Sequence, residues 1–413
     1  MGQHSSTPKE EDYRNLDFNF TEYFRKYKPE IKIISEETIH SIDLCIRKGD
    51  LNGARSIISD VLKIIDNAPI NIAVTGESGG GKSSFINALI GIGPEDKGAA
   101  EVGVIETTMK RTPYKHPKIK TLTFWDLPGV GTQKFPPKAY LEEVKFEEYN
   151  FFIIVSATRF TKLELDLAQA IGIMKKNYYL VRTKVDVDLE NEKRFKPHIF
   201  EREKTLSQIR SYSVNTFSDS KMAVPQIFLI SNYDLSDYDF PVLMDTLIKD
   251  LPVLKRHNFM LSLPDITEAA IDRKNKAIQQ FAYLEAFKTM FLATHPEAGI
   301  PRDNDVEKLK KSLNHYRQLF GIDDESLEFM AKDFQVPVGH LKEYIKSPNL
   351  LNTKRQEVLL EELLKSLEKF KSAYGWLTAI KLYIWKTFYL RQHFVNIVTE
   401  DAKVLLQWTN SKK

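Results

Sequence analysis

The run Gly76-Glu77-Ser78-Gly79-Gly80-Gly81-Lys82-Ser83 has the G-x-x-x-x-G-K-[ST] spacing that wraps a polypeptide around phosphate. Its glycines let backbone N–H groups converge on phosphate oxygens, and a helix starting there adds partial positive charge. On this reading Lys82 reaches the β- and γ-phosphates, Ser83 ligates Mg²⁺ through its hydroxyl, and Ser84 completes the cradle. Asp126-Leu127-Pro128-Gly129 supplies a D-x-x-G turn, in which Asp126 would hold the metal through water and the Gly129 N–H would bond the γ-phosphate. Thr183-Lys184-Val185-Asp186 chooses the purine. A carboxylate offers two acceptor oxygens, so Asp186 can take the ring N–H and the exocyclic amine of guanine together, whereas adenine presents no such pair. The Lys184 stem would lie over the base, and Ser231-Asn232 reads as the last, least specific, base-contacting loop. Between phosphate loop and Asp126, the small-residue segment from Gly98 to Thr108 suits a switch; Thr108 is the hydroxyl expected to close onto Mg²⁺ and the γ-phosphate, with Thr107 second. The implied cofactors are GTP or GDP with Mg²⁺.

Strands and helices must place these groups. Asn71 to Thr75, Thr121 to Trp125, Asn177 to Arg182 and Gln226 to Ile230 read as strands, and Ser84 to Ile90 has helical spacing. Alternation between about Asn71 and Leu251 predicts an α/β fold, a mainly parallel doubly wound sheet with its ligand at the strand carboxyl ends. We divide the chain at 1–68, 69–252 and 253–413, the outer pieces being helical segments that pack together beside the sheet. In the first, Ser35 caps a helix that Gly49 stops, and a second runs from about Leu51 to Ile65 before Pro69. In the last, a helix over Glu307 to Phe320 ends at Gly321, Asp323-Asp324 cap the next, and Glu357 to Phe370 is rich in Leu and charge. The charged insert Asp188 to Glu203 is expected to form an exposed excursion.

Composition narrows the class. Net charge is +3, with 59 basic against 56 acidic residues among 413, which implies no broad electrostatic grip on nucleic acid. Cys45 is the single cysteine, so no internal disulfide can form, and it sits in an apolar helical pattern as core filler. Neither C-x-x-C nor H-E-x-x-H occurs, and His257 and the other histidines lack metal-ligand spacing. No apolar run is long enough to span a bilayer, and the start lacks a secretory segment, so a cytoplasmic location is expected. Met1-Gly2-Gln3-His4-Ser5-Ser6 fits M-G-x-x-x-[ST], which exposes Gly2 for myristoylation. One acyl chain gives only reversible attachment to a membrane, so a second contact is needed. The segment 373–391 mixes aromatics with spaced cations and suits a lipid interface; it reads equally as a buried helix.

With G-E-S-G-G-G-K-S, W-D-L-P-G, T-K-V-D and S-N in this order, the chain resembles the interferon-inducible immunity-related GTPases, dynamin-like proteins, in the subgroup with G-K-S in the phosphate loop. The resemblance implies a Ras-like G domain set on a helical domain built from both chain ends. It also implies nucleotide-dependent self-assembly, related GTPases as further partners, and action at pathogen-containing vacuole membranes in innate immunity. Two departures stand out. Val130 occupies the place where many small GTPases carry a water-orienting Gln, and Thr183 stands where many relatives carry Asn. Family members pair G domains across their nucleotides, with the counterpart of Glu106 near that contact, so hydrolysis activated by self-assembly is the expectation. A GTP-timed interaction scaffold without membrane work is the alternative, and an ATP-using enzyme would require Asp186 to be incidental.

Overall fold

The computed structural model describes residues 20–102, 110–128, 137–219, 226–292, 304–350 and 376–412. Six strands, β1 (Ile70–Gly76), β2 (Thr112–Lys115), β3 (Leu122–Asp126), β4 (Phe151–Ser156), β5 (Asn177–Arg182) and β6 (Ile227–Leu229), form one sheet. Their order is β2-β3-β1-β4-β5-β6. Only the β2/β3 pair is antiparallel; every other neighbouring pair is parallel. All six residues of β4, Phe-Phe-Ile-Ile-Val-Ser, are buried, because helices cover both faces and neither side of the strand meets water. The two-residue period sorts them: Ile72, Val74, Ile153 and Val155 join one core, while Ala73, Phe152, Ile154 and Leu180 join the other. The doubly wound α/β architecture read from the sequence is therefore present.

The helices are α1 (Phe20–Arg25), α2 (Glu36–Arg47), α3 (Leu51–Asn67), α4 (Lys82–Ile90), α5 (Pro137–Glu143), α6 (Lys162–Ile173), α7 (Val185–Phe195), α8 (Arg202–Asp219), α9 (Phe240–Asp250), α10 (Val253–Ser262), α11 (Glu268–Leu292), α12 (Asn304–Leu319), α13 (Asp324–Asp333), α14 (Val338–Tyr344) and α15 (Trp376–Asn410). Local chemistry sets their ends. Ser35 Oγ accepts from the Thr38 N–H at 3.1 Å to start α2, and Gly49, at φ 75°, follows its end. Asp323 Oδ1 accepts from the Ser326 N–H at the start of α13, as its position in the sequence indicates.

Helices from both ends of the chain pack against one another, α3 and α10 against α11, and α11 along α15. An aromatic cluster joins them: Tyr23 of α1 stacks on Tyr283 of α11 with centroids 3.5 Å apart, and Phe287 meets Trp385 of α15 edge-on. Edge-on pairs of this kind contribute roughly 1 kcal/mol beyond area burial. Trp385 is 3% exposed, with Ile384 and Phe388 also buried, so this part of the segment 373–391 faces protein. Cys45 is half-buried against the same core. The helical bundle and one face of the sheet share that core, and Asn258 of α10 ties them by donating to Ile65 O and Thr121 Oγ1.

The charged insert Asp188 to Glu203 is largely exposed, as expected. Much of it is helix, because α7 continues to Phe195 and α8 begins at Arg202. Val185 and Leu189 bury one edge of α7, while Asp186 and Asp188 in its first turn and Lys193 and Arg194 in its last complement the helix dipole. The proposed helix over Glu357 to Phe370 lies outside the described residues.

Candidate functional site

The phosphate loop leaves β1 and enters α4 at the carboxyl edge of the sheet. Gly76 has φ 134°, and a Cβ there would lie 2.0 Å from the Val155 carbonyl oxygen, so β4 can run alongside only if this residue is glycine. Gly81, at φ 85°, caps α4 in the left-handed region. Glu77, Ser78 and Gly79 are exposed, Gly80 is buried, and Ser84 is half-buried in the first turn of α4. Lys82 is only 8% exposed. Its Nζ donates to the Gly76 and Glu77 carbonyl oxygens at 3.3 and 3.0 Å, which folds the side chain over its own loop.

Ser83 and Asp126 meet as the motif reading requires. The Ser83 hydroxyl donates to Asp126 Oδ2 at 3.0 Å, bringing an alcohol and a carboxylate oxygen from two elements to one point. Two hard oxygen donors suit Mg²⁺, which binds through few protein ligands plus phosphate and water. Among the described residues no group of three or more His, Cys, Asp and Glu could hold a metal by itself. Glu106, Thr107, Thr108, Gly129 and Val130 lie outside the described residues, as does Gly2.

On the base side, β5 delivers Thr183 and Lys184, and α7 begins at Val185. Thr183 is fully buried; its hydroxyl donates to the Gly80 carbonyl oxygen at 2.8 Å. Threonine here therefore links the base loop to the phosphate loop. Lys184, at φ 58°, donates to Gly79 O at 3.2 Å, and Asn232 Nδ2 donates to Gly81 O at the same distance. Three side chains from two loops thus hold the carbonyls of Gly79, Gly80 and Gly81. Asp186 Oδ1 and Asn232 Oδ1 are buried and have no hydrogen-bond partner. Ser231 is committed elsewhere: its Oγ accepts from the Tyr233 and Asp234 N–H groups and shapes the turn.

Sequence reading missed Glu164 of α6. It is fully buried, with Oε1 accepting from the Glu77 N–H at 3.2 Å and Oε2 from the Thr161 N–H at 2.8 Å. Burial raises its carboxyl above the usual range, against the pull of these two N–H groups. The capping-box spacing Thr161-Lys162-Leu163-Glu164 could have marked the helix start, though not the second bond to the phosphate loop.

Comparison with known proteins places the chain among relatives. The family described as interferon-inducible GTPase matches residues 35–409. The chain is 49% identical over 407 residues to interferon-inducible GTPase 1 of Mus musculus, covering 98% of each chain. It is 46% identical to T-cell-specific guanine nucleotide triphosphate-binding protein 2 of Mus musculus, covering 95% of this chain and 94% of that one. Among solved structures it is similar to Aquifex aeolicus Era bound to GDP and AlF4⁻, at 20% identity, over 44% of this chain and 56% of that chain, with a TM-score of 0.30, too distant a likeness to bear on function.

Proposed function

Since this chain belongs to the interferon-inducible GTPase family, we propose that it binds GTP and GDP at the carboxyl edge of the sheet and hydrolyses GTP. The observation that carries the reading is the pair of buried, unpartnered acceptors Asp186 Oδ1 and Asn232 Oδ1 beside a loop whose carbonyls are already held. An unmet buried acceptor costs roughly 1–3 kcal/mol, so this site gains by admitting a donor-bearing base edge. Guanine presents two donors on that edge. Lys82 would leave the loop carbonyls for the phosphate tail, and Ser83 with Asp126 would hold the cation. Mg²⁺, when bound, neutralises phosphate charge.

Thr108 as the switch hydroxyl, Gly129 as the γ-phosphate contact and Glu106 as a group completed across a dimer belong to this proposal. So do self-assembly that activates hydrolysis, association with related GTPases, and reversible attachment to the membranes of pathogen-containing vacuoles in innate immunity. Val130, in place of a water-orienting Gln, supports slow turnover by a lone subunit. Attachment would use a myristoyl group on Gly2. A second lipid contact from 373–391 must avoid Ile384, Trp385 and Phe388, which the core occupies. Among the described residues no helix is long and apolar enough to cross a membrane.

Competition between GTP and ATP for purified protein tests the base assignment, with GTP expected to displace a labelled guanine nucleotide and ATP not. Phosphate release per subunit tests assembly. A rise with protein concentration is expected, and strict proportionality between turnover and enzyme would remove that part of the proposal.

A further inference from the structure

Tyr140 of α5 stands between the two segments assigned to phosphate. Its ring packs in the core under the sheet with Leu127 and Tyr149, and the residue is 5% exposed. Its hydroxyl donates to the Pro128 carbonyl oxygen at 2.9 Å. A phenol has one proton to give, so its other contact, with Thr75 Oγ1 at 2.9 Å, is one in which Thr75 donates. Thr75 is fully buried and is the β1 residue immediately before Gly76; Pro128 lies two residues after Asp126. The series Thr75, Tyr140, Pro128 therefore joins the strand that delivers the phosphate loop to the turn that follows the metal-side carboxylate. Holding the Pro128 carbonyl on a buried hydroxyl thus fixes the turn that follows Asp126, the carboxylate that accepts from Ser83, against the strand that leads into the phosphate loop.

We propose that Tyr140 is a positioning residue for GTP hydrolysis, its hydroxyl setting the register of the Asp126-Leu127-Pro128 turn against the phosphate-loop strand. This rests on the GTPase reading above. Burial also pushes the Tyr140 hydroxyl above the ordinary tyrosine range, which keeps the donor protonated at every working pH. GDP has no γ-phosphate, so the hydroxyl should matter to turnover and little to GDP binding.

Tyr140→Phe keeps the ring and deletes the hydroxyl. Single-turnover GTP hydrolysis should fall roughly tenfold, as expected for one oriented hydrogen bond. Affinity for fluorescent GDP should stay within about twofold. Thr75→Val, close in shape, should lower hydrolysis in the same direction, and the double variant should be no worse than Tyr140→Phe alone. Should Tyr140→Phe fail to fold, Thr75→Val carries the test by the same split. Wild-type hydrolysis rates in the variants, or equal losses of GDP affinity and hydrolysis, would overturn the inference while leaving the GTPase reading intact. Wild-type protein that neither binds nor hydrolyses GTP would overturn both.

Discussion

The two ends of the proposed nucleotide groove differ in how their polar groups are spent. At the phosphate end the functional groups hold one another, Lys82 on the Gly76 and Glu77 carbonyls and Ser83 on Asp126. At the base end Asp186 Oδ1 and Asn232 Oδ1 are buried with nothing bonded to them. A base can therefore enter by adding hydrogen bonds, whereas a phosphate tail must displace existing ones. The difference teaches where selectivity and switching reside. Unpartnered acceptors discriminate between ligands, and groups that must exchange partners respond to whichever phosphate is present.

The contrast breaks most sharply at Lys82. Lys82→Ala removes the cation and should weaken both GDP and GTP on the order of a hundredfold or more, measured by equilibrium fluorescence titration. A change of less than about threefold would show that the lysine stays on its loop carbonyls when nucleotide binds.

A titration remote from both ends serves as a control. His116 is buried between the β2/β3 connection and α10, its Nε2 on Ser262 O at 3.1 Å and its Nδ1 accepting from the Lys118 and Ile119 N–H groups. Burial lowers its pKa from 6.5 to about 4, helped by Lys118 and Lys274 and opposed by the Ser262 bond. Between those values the unfolded chain binds more protons than the folded one, so stability rises with pH. The contribution is complete above pH 6.5 and is lost as pH falls through 4. At pH 5 the loss should be about 2 kcal/mol, and His116→Gln should flatten that part of the urea-unfolding slope. Purine selectivity should not change.

Thr183→Val sharpens the comparison from the other side. It deletes the bond to Gly80 O without changing side-chain shape much, and should weaken GDP and GTP equally by roughly tenfold. An effect confined to GTP would place Thr183 with the switching groups instead.

Much of this was legible in the sequence where the signal is local. β5 spans Asn177 to Arg182, as its apolar run indicates, and Ser35, Asp323, Gly49 and Gly321 fall at helix ends because capping depends on a few adjacent residues. The exposure of the insert after Asp186 was legible in its charges, but its helical content was not, because α7 buries only Val185 and Leu189, too few apolar positions to show a helical period. Trp385 could not be settled, since an aromatic helix packed on Tyr283 and Phe287 is written like one that lies on lipid. Glu164 and Tyr140 were missed for another reason. Each bonds to residues 12 to 87 positions away in sequence, and no periodicity or spacing rule reports such pairs.

The central claim is that Asp186 reads guanine through acceptor oxygens, and changing the acceptor to a donor tests it most directly. Asp186→Asn turns one oxygen into an N–H₂ group that would face the exocyclic amine of guanine, whereas xanthine carries a carbonyl oxygen there. Isothermal titration of wild type and Asp186→Asn with GDP and xanthosine diphosphate should show the preference inverting, with GDP weakened at least about thirtyfold and the xanthine nucleotide gaining. Unaltered GDP affinity in the variant would contradict the account.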